Sequence, residues 1–144
     1  MRHIDEIIIH CTATNSSWYE DRSVEDVVKE ITRWHVEERG WSDCGYHAII
    51  HRDGEVGMAR PIERTGAHCR GNNKGTIGVS LVGGRGASAD DLFDDTVPPR
   101  RAWSVPCLLD AYQARVPGIT NVRGHNDYAS NACPGFDVRE WYNG

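Results

Sequence analysis

The sequence lacks the features that define several classes of protein. It has two Phe and two Met among 144 residues, and its longest aliphatic stretch is Ile7-Ile8-Ile9. No apolar run approaches the roughly 20 residues of a membrane-spanning helix, so no membrane span is expected. Basic charge is not in excess: 16 Lys and Arg stand against 21 Asp and Glu, a net charge of −5. A nucleic-acid binder held mainly by phosphate contacts needs a basic face, and this charge balance argues against one. The five cysteines are odd in number and no two have C-x-x-C spacing, which excludes a complete disulfide framework and a zinc ribbon. Free thiols in a reducing compartment are expected instead. There is no His-Glu-x-x-His helix, so a zincin peptidase is disfavoured. The charged start, Met1-Arg2-His3-Ile4-Asp5-Glu6, does not resemble a signal peptide, and cytoplasmic synthesis is expected.

What is present suits one domain, 1–144, long enough to bury roughly 68–70% of its unfolded surface. Residues 4–10 read as a buried strand ending in His10. Ser23 resembles a helix cap, with Asp26 three residues on, and Val24, Val27, Val28, Ile31 and Trp34/His35 repeat at helical spacing as far as Gly40. Residues 46–51 and 55–60 read as strands joined by the Asp53-Gly54 turn. A loop follows over 61–74, then a β-branched strand over 76–82. Residues 86–99 form an acidic loop whose charge run is a solvated surface. A second helix is expected over 104–115 with Pro106 in its first turn, since proline suits that turn far better than a helix interior. Residues 119–123 form a short strand, and 137–142 a terminal helical turn capped by Asp137. This order predicts an α/β (α+β) fold: a central mixed sheet flanked by helices, with a site in a crevice at the strand ends.

The metal-type side chains fall at those ends. His10 closes the first strand, His125 follows the last, and Cys133 lies eight residues beyond His125. Two His and one Cys could hold zinc with a fourth position open to water, the arrangement of a catalytic site. On spacing alone H-x7-C is not diagnostic, and ordinary polar residues at loop edges fit it as well.

Six blocks in order carry more information: His10-Cys11-Thr12-Ala13-Thr14, Gly45-Tyr46-His47-Ala48-Ile49-Ile50, Gly66-Ala67-His68, residues 71–79 (GNNKGTIGV), Gly124-His125-Asn126-Asp127 and Ala132-Cys133-Pro134-Gly135-Phe136-Asp137. Together they resemble the type 2 N-acetylmuramoyl-L-alanine amidases, a family that includes amidase-type phage lysozymes and peptidoglycan recognition proteins. The resemblance implies a zinc hydrolase that cuts the amide between N-acetylmuramic acid and the L-alanine of the peptidoglycan stem peptide. It puts zinc on His10, His125 and Cys133. It makes Tyr46 a catalytic residue that hydrogen-bonds the zinc water or the developing oxyanion. It sets His68 along the substrate groove. Asn73, in the Gly-x-Asn block, either contacts the substrate or bonds its own turn. His35 reads as a satisfied core histidine. His47 and His51 alternate away from Tyr46, and Cys11 away from His10, so all three should point elsewhere.

One position departs from the family. Phage members usually carry Lys two residues before the ligand Cys, where this chain has Asn131. Asn donates a hydrogen bond without charge, and losing a charged oxyanion donor costs about 3–4 kcal/mol. Asn131 is nonetheless taken as a catalytic candidate. The implied partner is peptidoglycan, recognised by a monomer of endolysin type that acts on the wall after release from the cytoplasm. The alternatives are a peptidoglycan-binding module with weak or no hydrolysis, and a protein-binding regulator. Arg60, Arg64 and Arg70 are possible contacts for an acidic stem peptide.

Overall fold

The computed structural model describes residues 1–15, 17–85 and 99–143; the side chains of 99–102 are not described. The expected acidic loop lies almost wholly outside these residues, and its charge run entirely so.

Ile7, Ile8 and Ile9 have no exposed surface and lie in β1 (Glu6–Cys11). A strand buried on both faces reads as an unbroken aliphatic run, the pattern of an interior parallel strand. β1 pairs in parallel with β4 (Thr76–Leu81) on one side and with β5 (Asn121–Gly124) on the other. β2 (Ala48–Ile50) adds in parallel to β4, and β3 (Val56–Met58) folds back antiparallel on β2. The order β3-β2-β4-β1-β5 makes a five-stranded mixed sheet. Gly54 at φ +93° makes the turn between β2 and β3, where Asp53 accepts the Glu55 amide at 2.9 Å. A left-handed residue at that turn favours glycine.

Helices cover both faces. α1 (Val24–Arg33) is capped by Ser23, whose hydroxyl accepts the Asp26 amide at 3.2 Å. Its Val27 and Ile31 pack with Ile49 and Val82 on one face. On the other face Ile7, Ile9, Ile77 and Val79 meet Val105, Leu109 and Tyr112 of α2 (Pro99–Arg115) and Val138 of α3 (Val138–Asn143). The mixed sheet flanked by helices is thus as expected.

Two elements differ from the reading of the sequence. α1 does not run on as α-helix to Gly40: it widens into a π-helical turn over Trp34–Glu38 and stops at Gly40, φ +73°. α2 begins five residues before Ser104, which leaves Pro106 inside the helix rather than in its first turn. Pro99, the first residue, occupies the position where a missing N–H is harmless. At Pro106 one internal helical bond is lost, and the flanking Val105 and Leu109 keep the segment on the sheet by burying their side chains.

Candidate active site

Parallel strands that end at one edge open a crevice beyond their carboxyl ends. β1 brings His10 there in its last two residues, and β5 runs there into a 3-10 turn over His125–Asp127. The loop after that turn returns Cys133 over the end of β1: the Cys11 amide donates to Cys133 Sγ at 3.0 Å, and Asn126 N–H to the Cys133 carbonyl at 2.7 Å. One ligand atom from each of His10, His125 and Cys133 lies within 4.8 Å of the others. The imidazoles of His10 and His125 have centroids 4.6 Å apart.

Their electrostatics suit cation binding. Burial, then the neighbouring His68 and His125, push His10 well below the ordinary histidine pKa, and burial lowers His125. Both are neutral bases at pH 7. Hydrogen bonding with the Cys11 side chain, then burial, pushes the Cys133 thiol up, so it keeps its proton until a cation displaces it. Two neutral imidazoles and one displaceable thiol proton are a donor set that fits zinc.

The trio lies in a groove of about 500 Å³. Tyr46 lines it with its ring 5.3 Å from that of His10, and burial pushes its hydroxyl pKa up, so it stays a donor. His68 also lines the groove and is bonded to His10, Nδ1 to Nε2, at 2.9 Å. Burial, followed by the neighbouring His47, pushes its pKa down to about 3.

Residues 1–136 match the family model described as N-acetylmuramoyl-L-alanine amidase. The chain belongs to that family. It is 40% identical over 141 residues to the endolysin of Escherichia phage T7, covering 96% of this chain and 85% of that protein. It is 37% identical to the endolysin of Klebsiella phage KP32, covering 95% and 84%. Among solved structures, the N-acetylmuramoyl-L-alanine amidase LysC from Clostridium intestinale URNW superimposes with a TM-score of 0.75 at 26% identity, over 96% of this chain and 83% of that one. Drosophila PGRP-LB shares the fold at a TM-score of 0.76 and 24% identity, over 94% and 76%.

On this amidase framework the remaining candidates sort by position. Asn131 is exposed and lines the groove. Asn73 is not among the described groove-lining residues; its side-chain oxygen accepts the His68 and Cys69 amides, both at 2.8 Å, and so holds its own loop. His35 is buried, with Nδ1 accepting the Gly45 amide at 2.8 Å, and it also borders the groove. Burial, then Arg39 and Arg60, lower its pKa to about 4. His47 is held by the Gly78 amide and the Arg64 carbonyl, and His51 by the Tyr19 and Arg22 carbonyls, so neither joins the trio.

Cys11 follows His10 within β1 and still borders the trio, because Cys133 arrives over the strand end and meets its side chain. Gly84, at φ +86°, closes in behind it: a Cβ there would lie 2.6 Å from Cys11 Sγ. The arginines also sort differently from expectation. Arg60 is buried, donating to the Cys44 and Thr65 carbonyls, and Arg64 pairs with Asp43. Arg39 and Arg85 line the groove instead, and no described lining residue carries a carboxylate. Trp41 lies between them in chain order and stacks under Arg39, 5.2 Å from its guanidinium. Nothing in the local sequence around these two arginines distinguishes them, because their loops meet only in the folded chain.

Proposed function

We propose that this chain holds one zinc ion on His10, His125 and Cys133 and with it hydrolyses the amide between N-acetylmuramic acid and L-alanine in peptidoglycan, acting as an endolysin. The observation that carries this reading is the convergence of those three donors, within 4.8 Å of one another, in the groove of an amidase-family chain.

When bound, zinc supplies a Lewis acid that polarises an amide carbonyl and activates water at neutral pH. A single thiolate leaves such a site with net positive charge. The chain supplies the rest. Tyr46, kept protonated by burial, donates a hydrogen bond to the amide oxygen as charge develops there. Asn131 offers a second, neutral donor in the groove wall. Arg39 and Arg85 give the groove a local positive potential on a chain of net charge −5 and attract the carboxylates of a stem peptide. Binding without hydrolysis is the weaker alternative, because every donor of the set is present.

The test is turbidity loss of outer-membrane-permeabilised Gram-negative cells, with and without a chelator. Lysis should stop on chelation and return with zinc. Lysis that survives complete zinc removal would overturn the reading.

A further inference from the structure

His68 lines the groove, yet both ring nitrogens already have partners inside the protein. Nδ1 lies 2.9 Å from His10 Nε2, and Nε2 lies 3.1 Å from Thr76 Oγ1. The ring sits in a slot that side chains would close. A Cβ on Gly78 would lie 2.4 Å from its Cγ, and a Cβ on Gly66 2.8 Å from its Cδ2. Its backbone is clamped as well, since Asn73 accepts the amides of His68 and Cys69.

The direction of each hydrogen bond follows from Thr76. Its hydroxyl has one proton, and two carbonyl oxygens lie in reach, Asn72 at 2.7 Å and Asn73 at 3.1 Å. Carbonyls only accept, and an oxygen–oxygen approach of 2.7 Å without a proton between is repulsive. The hydroxyl proton therefore goes to Asn72, and toward His68 the Thr76 oxygen is an acceptor. His68 Nε2 then carries the hydrogen. In a neutral imidazole Nδ1 is left as the acceptor, so His10 must donate from Nε2. The remaining nitrogen of His10, Nδ1, is thereby left as a bare lone pair.

We infer that His68 is a positioning residue that fixes His10 in the Nε2–H tautomer and so presents Nδ1 to the metal. The relay runs Asn72 carbonyl, Thr76 hydroxyl, His68, His10. Metal-bound histidines are generally oriented by a partner on the far nitrogen; here that partner is a second imidazole whose own tautomer is set by a threonine. The inference rests on the zinc reading above.

The test uses zinc-loaded protein labelled with 15N at histidine. Long-range proton–nitrogen correlation spectra should show His10 and His68 both protonated at Nε2. In parallel, zinc affinity is measured by competition with a chromophoric chelator. His68→Leu should weaken zinc by roughly 10–100-fold. His68→Asn, whose amide oxygen can take the place of Nδ1, should recover most of that loss. Near-ultraviolet circular dichroism should report both variants folded, and if His68→Leu does not fold, the wild-type tautomer pattern together with His68→Asn decides. Unchanged zinc affinity in His68→Leu, or a His10 ring protonated at Nδ1, would overturn the inference and leave the zinc site standing. A wild-type protein that takes up no zinc would overturn both.

Discussion

The Cys11 amide donates to Cys133 Sγ at 3.0 Å, joining the end of β1 to a loop 122 residues further along the chain. That bond favours a thiolate, while the Cys11 side chain and burial favour the thiol, and the second pair of effects dominates in the metal-free chain. His10 and His125 are neutral in the same state. Zinc uptake at pH 7 should therefore release about one proton, and affinity should rise about tenfold per pH unit below the thiol pKa. Calorimetry in two buffers of different ionisation enthalpy measures this. Uptake with no proton release would mean that Cys133 is not the ligand.

Tyr46 borders the groove without belonging to the metal trio. Tyr46→Phe should retain zinc and lower turnover by about 10²–10³, the usual loss for one oxyanion donor. The comparison to make is metal content against turnover in the same preparation. Loss of both together would assign Tyr46 to the structure of the site instead.

Asn131 stands two residues before Cys133, where the family resemblance implies a lysine. Asn131→Lys should keep its zinc and hold or raise the rate of wall hydrolysis, because a charged donor replaces a neutral one. A clear fall in turnover would give Asn131 a role of its own.

His35 and His47 are both buried, and each is held at a pKa of about 4, with burial the first cause. Unfolded, each takes up a proton near pH 6.5. Between about pH 6.5 and 4 the unfolded chain binds more protons, so stability falls with acidification by up to about 1.4 kcal/mol per pH unit for each histidine. Urea midpoints of the metal-free protein at pH 7, 6 and 5 should decline steadily. A flat profile would place these rings in contact with water.

The sheet was legible because its strands are short aliphatic runs; His10, His125 and Cys133 stood out only as candidates at strand ends, and it was the six ordered blocks resembling the amidase family that joined them into one set, which the fold brings within 4.8 Å. Pro106 misled because Ser104-Val105-Pro106 resembles a helix start; α2 begins earlier and tolerates the proline since Val105 and Leu109 bury fully. The π-helical turn at Trp34 left no trace, as one added residue per turn barely disturbs the apolar period over five residues. Arg39 and Arg85 reach the groove from separate loops, and His68 meets His10 across 58 residues of sequence. Such pairings depend on packing. Gly66 and Gly78 were the nearest available signal for the second, since each leaves room for the His68 ring.

The most direct measurement is the bond broken. Purified peptidoglycan is digested with zinc-loaded protein, with metal-stripped protein and with His10→Ala, and newly exposed amino termini are labelled and identified. Zinc-loaded protein should release L-alanine amino termini in step with lysis, and the other two should release none. Lysis without new L-alanine termini, or equal release by the metal-stripped protein, would contradict a zinc amidase.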